Sequence, residues 1–277
     1  MLNALTIDLE PWTCFYDNVP LEKHLVEKSL VDSTYQILNI FDYHRVTATF
    51  FVLGIIYKQF PFLLDEIKSR GHEIAFHGYS HKKLSESSLK LEIERSQDLI
   101  EKYRMKGFRA PEMRITWNDL KTLDSVDFLY DSSTYGSFNQ TVGNIIEIPV
   151  STYPVRKKVQ TFPRTLTDAL REFEIPIGSG LFMGLLSSGM IDSMIRKINQ
   201  KGLPAVLFIH PWQLTGLPEV RIKRLIRHPS RVLYLPKISG DKLGYILKRH
   251  KFVSIWELLK DEGLSSKRRA ERSEEYC

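Results

Sequence analysis

The strongest constraint on this chain is an alternation of two hydrophobic periods. Short runs rich in β-branched and aromatic residues recur along it, separated by stretches whose apolar residues return every three or four positions. The first kind predicts strands over Ala4–Leu9, Val46–Val52, His72–Phe76, Gly107–Arg109, Phe128–Asp131, Ile145–Val150, Ala205–His210 and Phe252–Ile255. The second predicts helices. Leu89, Ile93, Ser96, Ile100 and Tyr103 share one helical face, with Ser85 as the expected N-cap. Pro61 suits a first helical turn that Gly71 ends, and Thr116 with Asp119 has the spacing of a capping box. Further helices are expected over Ser188–Gln200, Asp241–His250 and Trp256–Glu262.

Strand–helix alternation favours a parallel sheet. Seven or eight such units in 277 residues favour an α/β barrel over an open sheet. The segment 151–188, with Pro154, Pro163, Pro176, Gly178, Gly180 and Gly184, is the least regular and is expected to form long loops over one face. The apolar part of it, from Gly178 to Leu186, could cover a site. One domain over 1–262 and a polar tail over 263–277 is the simplest division.

Composition narrows the function classes. The net charge is +6, but 39 basic residues are interleaved with 33 acidic ones. The densest basic cluster, Lys267–Arg269 with Arg272, shares its tail with Glu271, Glu274 and Glu275, as a solvated tail does, so no nucleic-acid partner is expected. Apolar runs such as Ala205–Ile209 are too short to span a bilayer. The opening residues lack the pattern of a secretory signal, and Cys14 and Cys277 suggest no disulfide framework, so a cytoplasmic location is expected.

Chemistry-bearing residues gather at the predicted strand ends. Asp8 and Glu10 share a strand face, with Leu9 on the other. His77 and His81 follow the third strand in a His-x3-His pair that can bring two imidazoles to one metal ion. Arg109 ends the next strand and could hold a carboxylate ionised, and Asp131 could orient Arg109 or a histidine. His210, at the mouth of an apolar strand and followed by Pro211 and Trp212, is a general-acid candidate. Each signal has a bland reading as a solvated or core residue; their agreement at five strand ends favours catalysis.

In order and spacing these residues resemble the polysaccharide deacetylases of the NodB homology (chitin deacetylase-like, carbohydrate esterase) family over about residues 4–258. Thr6-Ile-Asp-Leu-Glu10 stands where that family has Thr-Phe-Asp-Asp. His77-Gly-Tyr-Ser-His81 matches its metal motif, with Gly78 in place of a hydroxyl residue. Arg109-Ala-Pro111, Asp131-Ser-Ser133 and Leu207-Phe-Ile-His210 follow, and Asp-x-Glu with His-Pro-Trp points to one subgroup. The resemblance implies a distorted (β/α)7-type TIM-like barrel, the NodB fold. It implies Asp8 as general base, His210 as acid, Arg109 holding Asp8 with Asp131 behind it, and His77 and His81 binding a divalent metal ion, expected to be Zn²⁺. The family's metal-binding Asp falls at Leu9, so Glu10 is the expected third ligand. Pro111, Ser132 and Trp212 are the expected substrate contacts.

The implied reaction removes an N-acetyl or other N-acyl group from an amino sugar or glycan precursor, free or lipid- or nucleotide-linked. Two rivals remain: an amidase acting on a non-sugar amide, and a barrel that binds a glycan without turnover.

Overall fold

In the computed structural model, which describes residues 1–12, 23–82, 84, 88–137, 139–156, 162–215, 236–261 and 263, the alternation becomes a curled sheet with helices packed around it. Its strands are β1 (Leu2–Leu9), β2 (Thr49–Val52), β3 (Glu73–Phe76), β4 (Gly107–Phe108), β5 (Tyr130–Asp131), β6 (Tyr135–Gly136), β7 (Gln140–Val142), β8 (Ile145–Glu147), β9 (Val150–Ser151), β10 (Val206–Ile209) and β11 (Lys251–Val253). Seven of them, β10-β1-β2-β3-β4-β5-β8, run parallel in that order. β7 adds an antiparallel edge to β8, and β6 pairs with β9. The remaining gap is bridged through one residue: Phe208 N–H donates to Gly178 O (2.7 Å), and Gly178 N–H donates to Ser151 O (3.0 Å). This is the distorted (β/α)7-type barrel that the resemblance implies.

The pleat sorts the side chains. In β1, Leu5, Ile7 and Leu9 pack outward with Phe41, Phe50 and Val52 in the helix-covered core. Ala4 belongs instead to the interior cluster of Phe51, Ala75, Tyr130, Ile146 and Val206. By the two-residue period, Thr6 and Asp8 follow Ala4 inward. The same count turns Ala75 and His77, Arg109, Tyr130 and Ser132, and Phe208 and His210 into the barrel. Asp131 and Glu147, cross-strand partners on β5 and β8, fall on the other face.

Most expected elements are present, with shorter strands. The strand expected over Ile145–Val150 splits into β8 and β9, because Pro149 has no N–H to continue a ladder. The helix expected through Leu89–Tyr103 is two, Leu89–Glu94 and Gln97–Tyr103, separated where Ser96 leaves helical dihedrals (φ −118°, ψ 13°). Ser88 caps the first of them; Ser85 lies outside the described residues. The segment 151–188 is not all loop. It holds helices Leu166–Arg171 and Gly180–Leu185, the former opened by a capping box of Thr165 and Asp168. The Thr116–Asp119 box is formed as expected. Among the described residues, no helix is long and apolar enough to cross a membrane. Cys14 and residues 264–277 lie outside the described set.

Candidate metal and acid–base site

A cavity of about 620 Å³ opens at the carboxyl ends of the barrel strands, with Asp8, Glu10, His77, His81 and His210 in its lining. All five are buried. Glu10 sits at the centre. Its Oε2 lies 2.6 Å from His81 Nε2 and 3.4 Å from His77 Nε2, and its Oε1 lies 3.2 Å from His210 Nε2. Among the described residues, neither oxygen receives a backbone or hydroxyl hydrogen bond. Burial pushes the Glu10 carboxyl up, yet the charge on His81 and the imidazoles of His210, His77 and His81 around it hold it well below the usual range. Burial likewise opposes charge on His81 and His210, and Glu10 raises both above the ordinary histidine value.

Ligand atoms from Glu10, His77 and His81 lie within 4.8 Å of one another, and this donor set fits a divalent cation. His77 Nδ1 lies 2.8 Å from Arg109 O; a carbonyl only accepts, so Nδ1 carries the proton and Nε2 has its lone pair free for a metal. The loop between the histidines is shaped for this. Gly78 and His81 both take positive φ (87° and 60°). Buried Glu92 accepts from Tyr79 N (2.7 Å) and Ser80 N (3.1 Å), tying the loop down. Gly78, where the family pattern has a hydroxyl residue, is the residue for which such a φ costs least. Glu92 had no sequence signal beyond its place on a helix face.

Asp8 has a different partner. Arg109 Nη1 donates to Asp8 Oδ1 and to Thr6 Oγ1, both at 2.7 Å. The rest of the guanidinium bonds Ser132: Nε to its carbonyl and Nη2 to its hydroxyl, both at 2.8 Å. Arg109 is wholly buried, its Cζ 4.2 Å from the centre of the Phe51 ring and 5.2 Å from that of Phe208. So fixed an arginine can hold one carboxylate oxygen in place.

Four expected placements change. Ser132, expected to meet substrate, is the seat of Arg109. Asp131, expected to back Arg109, faces away from it: Asp131 accepts from Ser133 Oγ (2.7 Å) and Ser133 N (3.1 Å), and Ser133 Oγ accepts from Ala110 N (2.8 Å). Burial and the neighbouring Glu147 raise the Asp131 carboxyl well above its usual range. It makes no side-chain hydrogen bond to Arg109 among the described residues and touches its surroundings through Ser133 and the backbone at Ala110. Pro111 and Trp212 are buried outside the cavity lining, Trp212 stacked on His210 at 4.7 Å between ring centres. The walls are formed instead by Glu112, Met113, Arg114 and Ile115 on one side and by Pro163–Thr167, Leu181 and Phe208 on the other. Of the segment Gly178–Leu186, Ser179 and Leu181 reach the cavity.

Comparison with known proteins points to the same family as the sequence resemblance. Residues 8–129 match the family described as Polysaccharide deacetylase, and residues 130–260 match a Domain of unknown function (DUF3473). A peptidoglycan deacetylase-like protein of Gibberella zeae is 34% identical over 99 residues, 32% of this chain and 28% of that protein. The peptidoglycan-N-acetylglucosamine deacetylase of Bacillus cereus is 31% identical over 105 residues, 36% of this chain and 38% of that protein. The matches thus span well under half of these relatives. A solved structure from Mycobacterium smegmatis, described as a polysaccharide deacetylase, covers 88% of this chain and 88% of its own, with 23% identity and a TM-score of 0.54; it supports the fold.

Proposed function

We propose, from the match of residues 8–129 to the polysaccharide deacetylase family, that this chain is a metal-dependent amidase that removes the N-acetyl group of an amino sugar within a glycan or glycan precursor. The single observation that carries this reading is the meeting of Asp8, Glu10, His77, His81 and His210 in one cavity. Two of these groups can move protons and three can hold a cation. A divalent ion held by Glu10, His77 and His81, which we take to be Zn²⁺, would polarise the amide carbonyl and acidify water.

The chain's own groups carry the protons. Arg109 occupies Asp8 Oδ1, so the other carboxylate oxygen is the acceptor for the proton of the attacking water. His210 supplies a proton from Nε2 to the departing nitrogen. A separate acid matters because an amine leaves an amide only once protonated. The wall of Met113, Ile115, Leu166, Leu181 and Phe208 suits the acyl methyl and an apolar carrier more than a nucleotide, so a lipid-linked precursor is the finer proposal. The decisive experiment measures acetate released from N-acetylated sugars by metal-stripped and Zn²⁺-reconstituted protein. Activity indifferent to metal, or unchanged in His81→Ala, would overturn the reading in favour of a metal-free amidase on another substrate. Oligosaccharide binding without turnover under every metal tried would favour a non-catalytic barrel.

A further inference from the structure

Gln213 lies three residues past His210, at the start of helix Trp212–Thr215, and is buried. Its amide is surrounded by groups that fix which way round it sits. His210 N–H points at one end, 2.9 Å from Oε1. The carbonyls of Gly180 (2.9 Å) and Pro236 (3.4 Å) face the other end, Nε2. A flipped amide would set NH₂ against a backbone donor and oxygen against two acceptors, losing every one of these bonds. Gly180 makes room for this: a Cβ there would fall 2.4 Å from Gln213 Oε1.

With the amide fixed, Oε1 also faces His210 Nδ1 at 3.2 Å. An amide oxygen can only accept, so Nδ1 must carry a hydrogen. The stacked Trp212 ring holds the imidazole plane. What remains is Nε2, on the cavity side and 3.2 Å from Glu10 Oε1.

We propose that Gln213 is a positioning residue: it confines the transferable proton of His210 to Nε2, the atom that faces the substrate cavity. The tautomer follows from the hydrogen bonds alone. Its value to catalysis rests on the proposed deacetylase reading, in which His210 must hand its proton into the cavity. A histidine free to hold its single hydrogen at either nitrogen would spend part of its time with Nε2 and Nδ1 exchanged in role. It would then also lose the bond that holds its ring.

The test has an arm that needs no substrate. Long-range ¹H–¹⁵N spectra of the imidazoles in the full-length protein should show a hydrogen on His210 Nδ1, whether or not Glu10 draws a second one onto Nε2. The Nε2–H tautomer in the wild type would overturn the proposal. Gln213→Leu should give mixed tautomers and lower kcat by about tenfold or more with little change in KM, in the range seen when the outer partner of a working histidine is lost. Gln213→Glu keeps an acceptor at the same place, so it should keep the Nδ1–H tautomer and recover part of kcat. An unchanged tautomer and kcat in Gln213→Leu would overturn the proposal as well. A wild-type Nδ1–H tautomer in a protein with no deacetylase activity would instead sink the functional reading while leaving the tautomer assignment intact.

Discussion

Asp8 and Glu10 leave β1 on the same face two residues apart, yet they meet opposite partners: Asp8 Oδ1 takes Arg109 at 2.7 Å, while Glu10 is ringed by three imidazoles. One carboxylate is held by a fixed cation of the protein. The other is surrounded by neutral or protonatable nitrogen, as a metal ligand should be. The division of labour between them follows from what the barrel brings to each.

The residue between them tests this directly. Leu9 occupies the position of the family's metal-binding Asp but packs wholly buried in the helix-covered core. Leu9→Asp is therefore expected to gain no metal affinity and to destabilise the fold by several kcal/mol, the cost of an unpaired polar group in an apolar site. Chemical denaturation and zinc titration of the variant check both halves. A Leu9→Asp protein that folds well and binds zinc more tightly would show that the strand can slip in register.

Glu10→Gln keeps the shape but removes the charge and half of the acceptor capacity. Zinc affinity is expected to fall by roughly tenfold to a hundredfold, with the zinc-dependent rise in Tm shrinking in step. Calorimetric titration reads the first and a thermal melt the second. Asp8→Asn, by contrast, should bind zinc nearly as well as the wild type while losing turnover.

Gly78 carries φ +87° in the loop between the two histidines. Gly78→Ser, which restores the hydroxyl residue of the family pattern, should cost about 1–2 kcal/mol from the left-handed backbone, and should weaken zinc binding by displacing His81. A melt and a metal titration on the same variant decide it; a neutral effect on both would mean that the loop relaxes freely.

Two buried groups set opposite pH slopes. Burial lowers the pKa of His72 to about 4, with Arg70 also lowering it and Asp42 and Glu257 opposing. Its unfolded value is about 6.5, so below that pH the unfolded chain takes up the proton first. Stability is full above about pH 6.5 and is lost as pH falls toward 4, by an amount on the order of 3 kcal/mol. His72→Asn should remove that acid slope from denaturation curves measured between pH 7 and pH 4.

Asp131 has the reverse sign. Its carboxyl is raised by burial and by Glu147, so the folded protein holds a proton that the unfolded chain releases. Its stabilising share is present below the ordinary Asp range and is lost as pH rises. Asn mimics the protonated acid, so Asp131→Asn should hold its stability better than the wild type at alkaline pH. A steeper alkaline loss in the variant would refute the raised Asp131 carboxyl.

The barrel was legible because parallel strands buried on both faces leave long apolar runs, and the pairing of Asp8 with Glu10 was legible because the strand period is two. The same period, carried through β5, would have placed Ser132 rather than Asp131 behind Arg109. What could not be read was side-chain reach across the fold: Glu92 bracing Tyr79, or Gln213 turning back on His210, depends on helix ends that only tertiary packing positions. The two-turn helices within 151–188 were hidden by their Pro and Gly neighbours, although Thr165 and Asp168 carried a cap signal.

β1 pairs with β10 through Ala4–Ile7 and with β11 through Leu2–Ala4, and Thr6 Oγ1 donates to Leu207 O, 201 positions away in sequence. The strand that presents both carboxylates takes one neighbour, β2, from nearby in sequence and its other two, β10 and β11, from the far part of the chain. β2 closes one edge beside Asp8, while the other stays open until β10 docks along Ala4–Ile7. Such long-range pairing folds slowly, and the chemistry of the site is assembled only when that distant strand closes against β1.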